Sequence, residues 1–368
     1  MSSLPPGQHQ WESTFGHDEL GRPVLPRHHR LILAELAEHP TADAAQLLES
    51  RLALLEERFA YGPDGLLTTL GWGPPWWDEH TPHLGLIAVA SKMSRWEDPV
   101  LETPHAIFHL ASDHQDVLDA AGDVLFGGDG VDQHLKVRQV RTGFVGAGLP
   151  KQAMPQLDVP ESAPLLLGFH SILRANQATE ESITIPSGPL AGGTTQHVSR
   201  IELDVRCWHA KDRDEQAALL YAPTITAAEA DRLADDAPSD YESYEQTVRE
   251  HGIVGHGQAA AHARVDNVPV INRRDFATVD DGRPGTHFVS LQRELRDFNN
   301  TRAIMNAADG TGYHRSVGAR RRNGINAFFD VTHRATFGIP PGPCAPTRTC
   351  TAKRHDRDPR RHTGRRPR

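Results

Sequence analysis

Short apolar runs alternate with stretches of helical period along this chain, and that alternation constrains its fold more than any other feature. Thr41 precedes a stretch in which Leu48, Leu52, Leu55 and Phe59 recur at intervals of four, three and four, the pattern of one buried helix face behind a capping hydroxyl. Around it, 29–36, 65–70 and 105–110 read as short strands, Leu118, Ala121 and Leu125 share a second helical face, and 137–145 reads as extended. Such alternation suits an α+β ferredoxin-like unit with an antiparallel sheet. The second half repeats the plan loosely. It offers a strand at 198–205, helices around 212–220, 227–233 and 241–250, a strand at Phe288 and a helix over 293–305. No repeat of fixed period is visible, so periodicity alone does not establish duplication.

Composition bounds the class. At 368 residues, with 38% hydrophobic and 24% charged side chains, the chain is long enough for two compact domains, and no apolar run approaches the roughly 20 residues that cross a bilayer. The formal charge of −9 hides two unlike parts. Eight arginines and Lys353 against Asp356 and Asp358 give the stretch after Pro346 a charge of +7, so the body before it carries −16. An acidic body argues against nucleic acid as its partner. The Arg-, Pro- and Thr-rich tail lacks hydrophobic periodicity and is expected to be disordered. No export signal is read at the N-terminus, which predicts a cytoplasmic protein with no membrane association. Cys207, Cys344 and Cys350 show neither a paired framework nor zinc spacing.

The chemistry concentrates in residues 262–295, HARVDNVPVINRRDFATVDDGRPGTHFVSLQREL, where a histidine, an arginine pair and an apolar strand fall in one connected unit. That combination suits a haem pocket: a neutral imidazole ligates iron from one side and a guanidinium stabilises charge on the other. The segment resembles the C-terminal signature of the dye-decolorizing (Dyp-type) haem peroxidases. His262 with Arg264 opens it; Ile271 to Arg274, the acidic turn at Asp280 to Gly282, and Phe288 to Arg293 follow. A second block, GPLAGGTTQHVSRIELDVRCW from Gly188, is similar to the family's glycine-rich turn and the strand after it.

The resemblance implies two ferredoxin-like domains, haem b as cofactor with His262 as the iron ligand, and Arg273 on the opposite face. It further implies Arg200, Phe288 and Leu291 around the macrocycle, and hydrogen peroxide and a small-molecule or dye-like electron donor as partners. One motif departs from the pattern. The family's G-x-x-D-G aspartate is met here by Ser171 in Gly168, Phe169, His170, Ser171, Ile172. A hydroxyl is no general base without an activating partner, which leaves Arg273, His170 or Asn176 to do the distal work. A haem-binding or haem-sensing protein with little turnover is the alternative reading, and a non-haem metal enzyme a third. Domain boundaries are expected at 1–26 (extension), 27–150, 151–340 (haem-binding) and 341–368 (tail), with self-association left open.

Other features read as structural. Gly146 and Gly148, and Gly255 and Gly257, are turns rather than a dinucleotide fingerprint. Trp72, Trp76 and Trp77 with Pro74 and Pro75 are expected as a rigid aromatic loop. Most of the 22 histidines are expected at the surface.

Overall fold

The computed structural model describes residues 7–37, 41–81, 85–128, 131–170, 176–233, 244–306 and 309–342. Strand β1 (His28–Leu36) leads into helix α1 (Ala42–Arg58), capped by Thr41, whose side chain accepts a hydrogen bond from Ala44 N at 3.1 Å. Ala44, Leu48 and Leu55 form its buried face. Then come β2 (Leu67–Trp72), α2 (Pro74–His80), β3 (Ala106–Ser112), α3 (Gln115–Phe126) and β4 (Leu135–Phe144). All pairs are antiparallel in the order β4-β1-β3-β2, as in a ferredoxin-like unit.

The second half runs β5 (Thr194–Leu203), α4 (Arg213–Leu220), α5 (Tyr244–His251), α6 (His256–His262), β6 (Ile271–Arg273), β7 (Phe276–Thr278), β8 (Gly285–Gln292), α7 (Leu295–Met305) and β9 (Phe329–Ile339). Its order is β9-β5-β8, with β6 and β7 pairing opposite ends of β8. The two sheets meet at two seams, Gly338 opposite Trp72 and Ala277 opposite Phe144, which close them into a barrel. The second seam depends on Gly143. A Cβ there would lie 2.1 Å from Ala277 O and 2.4 Å from Phe276 Cδ2, so only glycine lets β4 and β7 approach.

Leu31, Leu33 and Ile107 of the first half share one apolar core with Val198, Val289, Leu291 and Phe337 of the second. A second core lies under α1 and α3, and a third, with Phe169, Trp208, Leu220, Ile325 and Phe328, among the helices of the second half. No helix among the described residues is long and apolar enough to cross a membrane.

Three expectations need correction. The tryptophan segment is helical, not a loop: Pro74 and Pro75 occupy the first positions of α2, where no intrahelical N–H is lost, and Trp76 and Trp77 are buried. Many histidines are interior; His29, His109, His197 and His287 are almost completely buried. The helix expected from 293 starts at Leu295, where Glu294 N donates to Asp297 Oδ2 and sets the boundary. The N-terminal segment packs onto the body, with Trp11 fully buried and its amide donating to Glu180 Oε1 at 2.6 Å. Residues 234–243 and 343–368, including most of the expected tail, lie outside the described residues.

Candidate active site

A cavity opens between one face of the second sheet and the helices that cover it. Its free volume is about 890 Å3 when the open solvent at its mouth is counted and about 100 Å3 within its walls. Strand alternation builds its floor: Ser199, Ile201 and Leu203 on β5, and Thr286 and Phe288 on β8. On β9, Phe329 and Val331 follow the same alternation, but Arg334 is three residues further on. The register shift between Val331 and His333 inserts one residue and turns Arg334 back toward the cavity. Phe298, Arg302 and Met305 line it from α7 at four- and three-residue spacing, one helix face.

His256 is the first residue of α6, with Gly255 as N-cap. Gly324 has φ +51° and packs so closely that a Cβ would lie 3.0 Å from His256 N, which fixes the start of this helix. The half-buried His256 ring lines the cavity and makes no side-chain hydrogen bond among the described residues. Burial, then the Arg273 and Arg302 charges, push its pKa down to about 3, so the imidazole is neutral at ordinary pH.

Arg273 lines the cavity from the end of β6, its backbone held at both polar groups by Gln177: Arg273 N donates to Oε1 at 2.8 Å, and Nε2 donates to Arg273 O at 3.1 Å. Asp275 lies beside it, with Oδ2 3.9 Å from Arg273 Nη1 and Oδ1 buried without a hydrogen-bond partner. Burial raises the Asp275 pKa to about 6, partly countered by the Arg273 charge and the Val289 amide. Arg334 donates to Glu97 Oε2 at 2.8 Å and to Ser199 Oγ at 3.0 Å, while Arg302 Nη2 lies 3.8 Å from Glu97 Oε2. Burial lowers the Arg302 pKa to about 10, countered by Glu97. The wall is therefore apolar with a few cationic groups, each near a buried carboxylate.

The residues singled out in the sequence fall in different places. Arg273 and Phe288 line the cavity. His262 does not: it is exposed at the far end of α6, its ring stacked on Tyr244 at 4.2 Å. Arg200 and Leu291 sit one residue out of phase with Ser199 and Phe288, hence on opposite strand faces. Arg200 donates to Asp281 Oδ2 at 3.1 Å, and Leu291 is in the barrel core. His170 is outside the lining although Phe169 is in it; its carbonyl accepts from Tyr221 Oη at 2.5 Å. Asn176 Oδ1 accepts from Arg264 Nη2 at 2.7 Å. Ser171 lies outside the described residues. Arg274 points away from the cavity into the protein, ion-paired with Glu180 Oε1 at 2.6 Å and stacked over Trp11 at 4.2 Å.

The sequence offers His256 only as the next candidate ligand after His262, and it does not mark Asp275, Arg302 or Arg334. A signal for His256 was present: Gly255 followed by Gln258 and an alanine run starts a helix, and Gln258 Oε1 accepts from Gly255 N at 3.2 Å. Arg334 had no such signal, because its direction depends on the β9 bulge.

The fold is that of the Dyp-type peroxidases. The chain is similar to a putative dyp-type peroxidase protein from Shewanella oneidensis, at 15% identity over 86% of this chain and 94% of that chain, with a TM-score of 0.63. It is similar to a variant of DypB from Rhodococcus jostii in complex with heme, at 14% identity, 92% and 95% coverage and a TM-score of 0.58. A dye-decolorizing protein from V. cholerae gives 14%, 87%, 95% and 0.54. By sequence the chain belongs to a family of unknown function, DUF7405, whose model matches residues 26–341. No curated protein matches it.

Proposed function

We propose that this protein is a haem-dependent peroxidase in which His256, rather than His262, ligates the iron. The observation that carries the reading is that His256 and Arg273 line one apolar cavity in this fold. The donor set fits the group. A lone neutral imidazole in an apolar wall suits a macrocycle that supplies the other metal ligands, and Arg302 and Arg334 offer cationic partners for its carboxylates. Haem b, when bound, supplies the iron that takes peroxide and the electrons for its cleavage. The rest falls to the chain. Phe288, Phe298, Phe329 and the leucines at 165–167 exclude water, and the Arg273 guanidinium stabilises negative charge on the peroxide oxygens without having to accept a proton. The electron donor is a small or dye-like molecule.

The serine in the G-x-x-D-G position supports a second reading, a haem-binding or haem-sensing protein with little turnover. Purified chain supplied with haem tests both. A histidine-ligated Soret spectrum with dye turnover on adding hydrogen peroxide supports the peroxidase; the spectrum without turnover supports the second. No Soret band rejects both.

A further inference from the structure

We infer that Asp275 is the proton-transfer group of this cavity, taking a proton from bound hydrogen peroxide at Oδ1 and returning it to the departing oxygen. The inference rests on the peroxidase reading and adds to it a residue that the sequence motifs do not mark. Its basis is geometric. Asp275 is 5% exposed, it lines the cavity, and its Oδ1 has no hydrogen-bond partner. A buried carboxylate oxygen left unpaired is costly, and structural carboxylates are normally saturated with donors. Glu180 shows the contrast: its Oε1 accepts from Trp11 N, Glu12 N and Arg274 Nη2. Oδ2 of Asp275 is near Arg273, so one residue pair places a fixed cation and an unpaired base on the same cavity wall.

The charged and titratable groups that share the cavity are Arg273 beside it, His256 from α6, Arg302 from α7 and Arg334 from β9, the last two neutralised in part by Glu97. His256 stays neutral across the working range, and Asp275 is the lining group whose burial brings its titration near neutral pH. A base with a pKa near the operating pH transfers protons in both directions efficiently. In the step itself, the proton leaves one peroxide oxygen for Oδ1, then passes to the other oxygen as the O–O bond breaks. That oxygen leaves as water with its own hydrogen, the transferred proton and the bonding pair, while the other oxygen stays at the haem, which supplies the two electrons the cleavage requires.

The test uses the full chain loaded with haem, comparing wild type with Asp275→Asn and Asp275→Glu. Peroxide reactivity and hydrogen cyanide binding, a proton transfer without turnover, should both fall tenfold per pH unit below about pH 6 in wild type. Asp275→Asn should be slower by about a hundredfold and flat with pH, with Asp275→Glu partly restoring the profile. Infrared titration of the haem-free chain gives an independent readout, a buried carboxyl band that Asp275→Asn removes. If Asp275→Asn binds haem and keeps the wild-type rate and pH profile, the inference is overturned while the peroxidase reading stands. If wild type takes up no haem, the peroxidase reading itself fails, a different result. Should Asp275→Asn fail to fold, Asp275→Glu must still shift the pH profile, and an unchanged profile rejects the role.

Discussion

His256 and His262 begin and end the same helix, yet only His256 faces the cavity. Six residues of helical rise separate them by about 9 Å along the axis and turn them to different faces. One histidine therefore sits in an apolar wall, and the other lies exposed against Tyr244.

Replacing each in turn separates their roles. His256→Ala should abolish the histidine-ligated Soret spectrum of haem-loaded protein. His262→Ala should leave it intact and cost no more than about 1 kcal/mol in unfolding free energy, the worth of one exposed ring stack. A spectrum lost in His262→Ala and kept in His256→Ala would restore His262 as the ligand.

The adjacent arginines should fail in different ways. Arg273→Leu should depress peroxide reactivity by about a hundredfold with haem still bound, since it removes a preorganised donor at the cavity. Arg274→Leu removes the partner of buried Glu180 and should destabilise the fold by about 3–5 kcal/mol in denaturant titration. Equal effects on peroxide reactivity from the two would remove Arg273 from its proposed role.

The sequence exposes most of the fold's framework, because helices α1 and α3 and strands β1 to β4 bury one face each and so carry clear periods. The site is less legible. Phe288 and Leu291 sit in one apolar strand, and sequence cannot say which parity faces the cavity; pairing with β5 decides it. Arg334 reaches the cavity through a bulge, and Asp275 acquires its character from burial beside Arg273, both tertiary effects. The resemblance marks Arg273, which lines the cavity, and His262, which does not; the cavity histidine, His256, stands at the other end of the same helix.

Closure of the barrel at Gly143 offers a test of the fold that leaves the cavity untouched. Gly143→Ala forces a Cβ against Ala277 O and the Phe276 ring. The urea midpoint should fall by an amount equivalent to about 1–3 kcal/mol while haem binding by folded protein stays unchanged. An undisturbed midpoint would mean that β4 and β7 do not meet as described.

Acid should weaken this protein from about pH 6.5 downward. Burial holds His9, His29 and His256 at pKa values of about 3 and His287 at about 4, with His109 and His197 well below the ordinary 6.5. All six stay neutral when folded and bind protons when unfolded, so stability is full above about pH 6.5 and falls as pH drops toward 4. Asp275 runs the other way. Its raised pKa of about 6 means that the folded state takes its proton first, offsetting one histidine between about pH 6 and 4. Asp280, held at about 2 against burial by His287 and Thr142, loses its contribution only below about pH 4. Each unopposed histidine adds a slope of roughly 1.4 kcal/mol per pH unit. The urea midpoint should thus drop steeply between pH 7 and 5, and His197→Gln, which cannot take the proton in either state, should flatten the curve by one such slope. A midpoint that is level over this range would place these rings in contact with solvent and contradict the buried positions described for them.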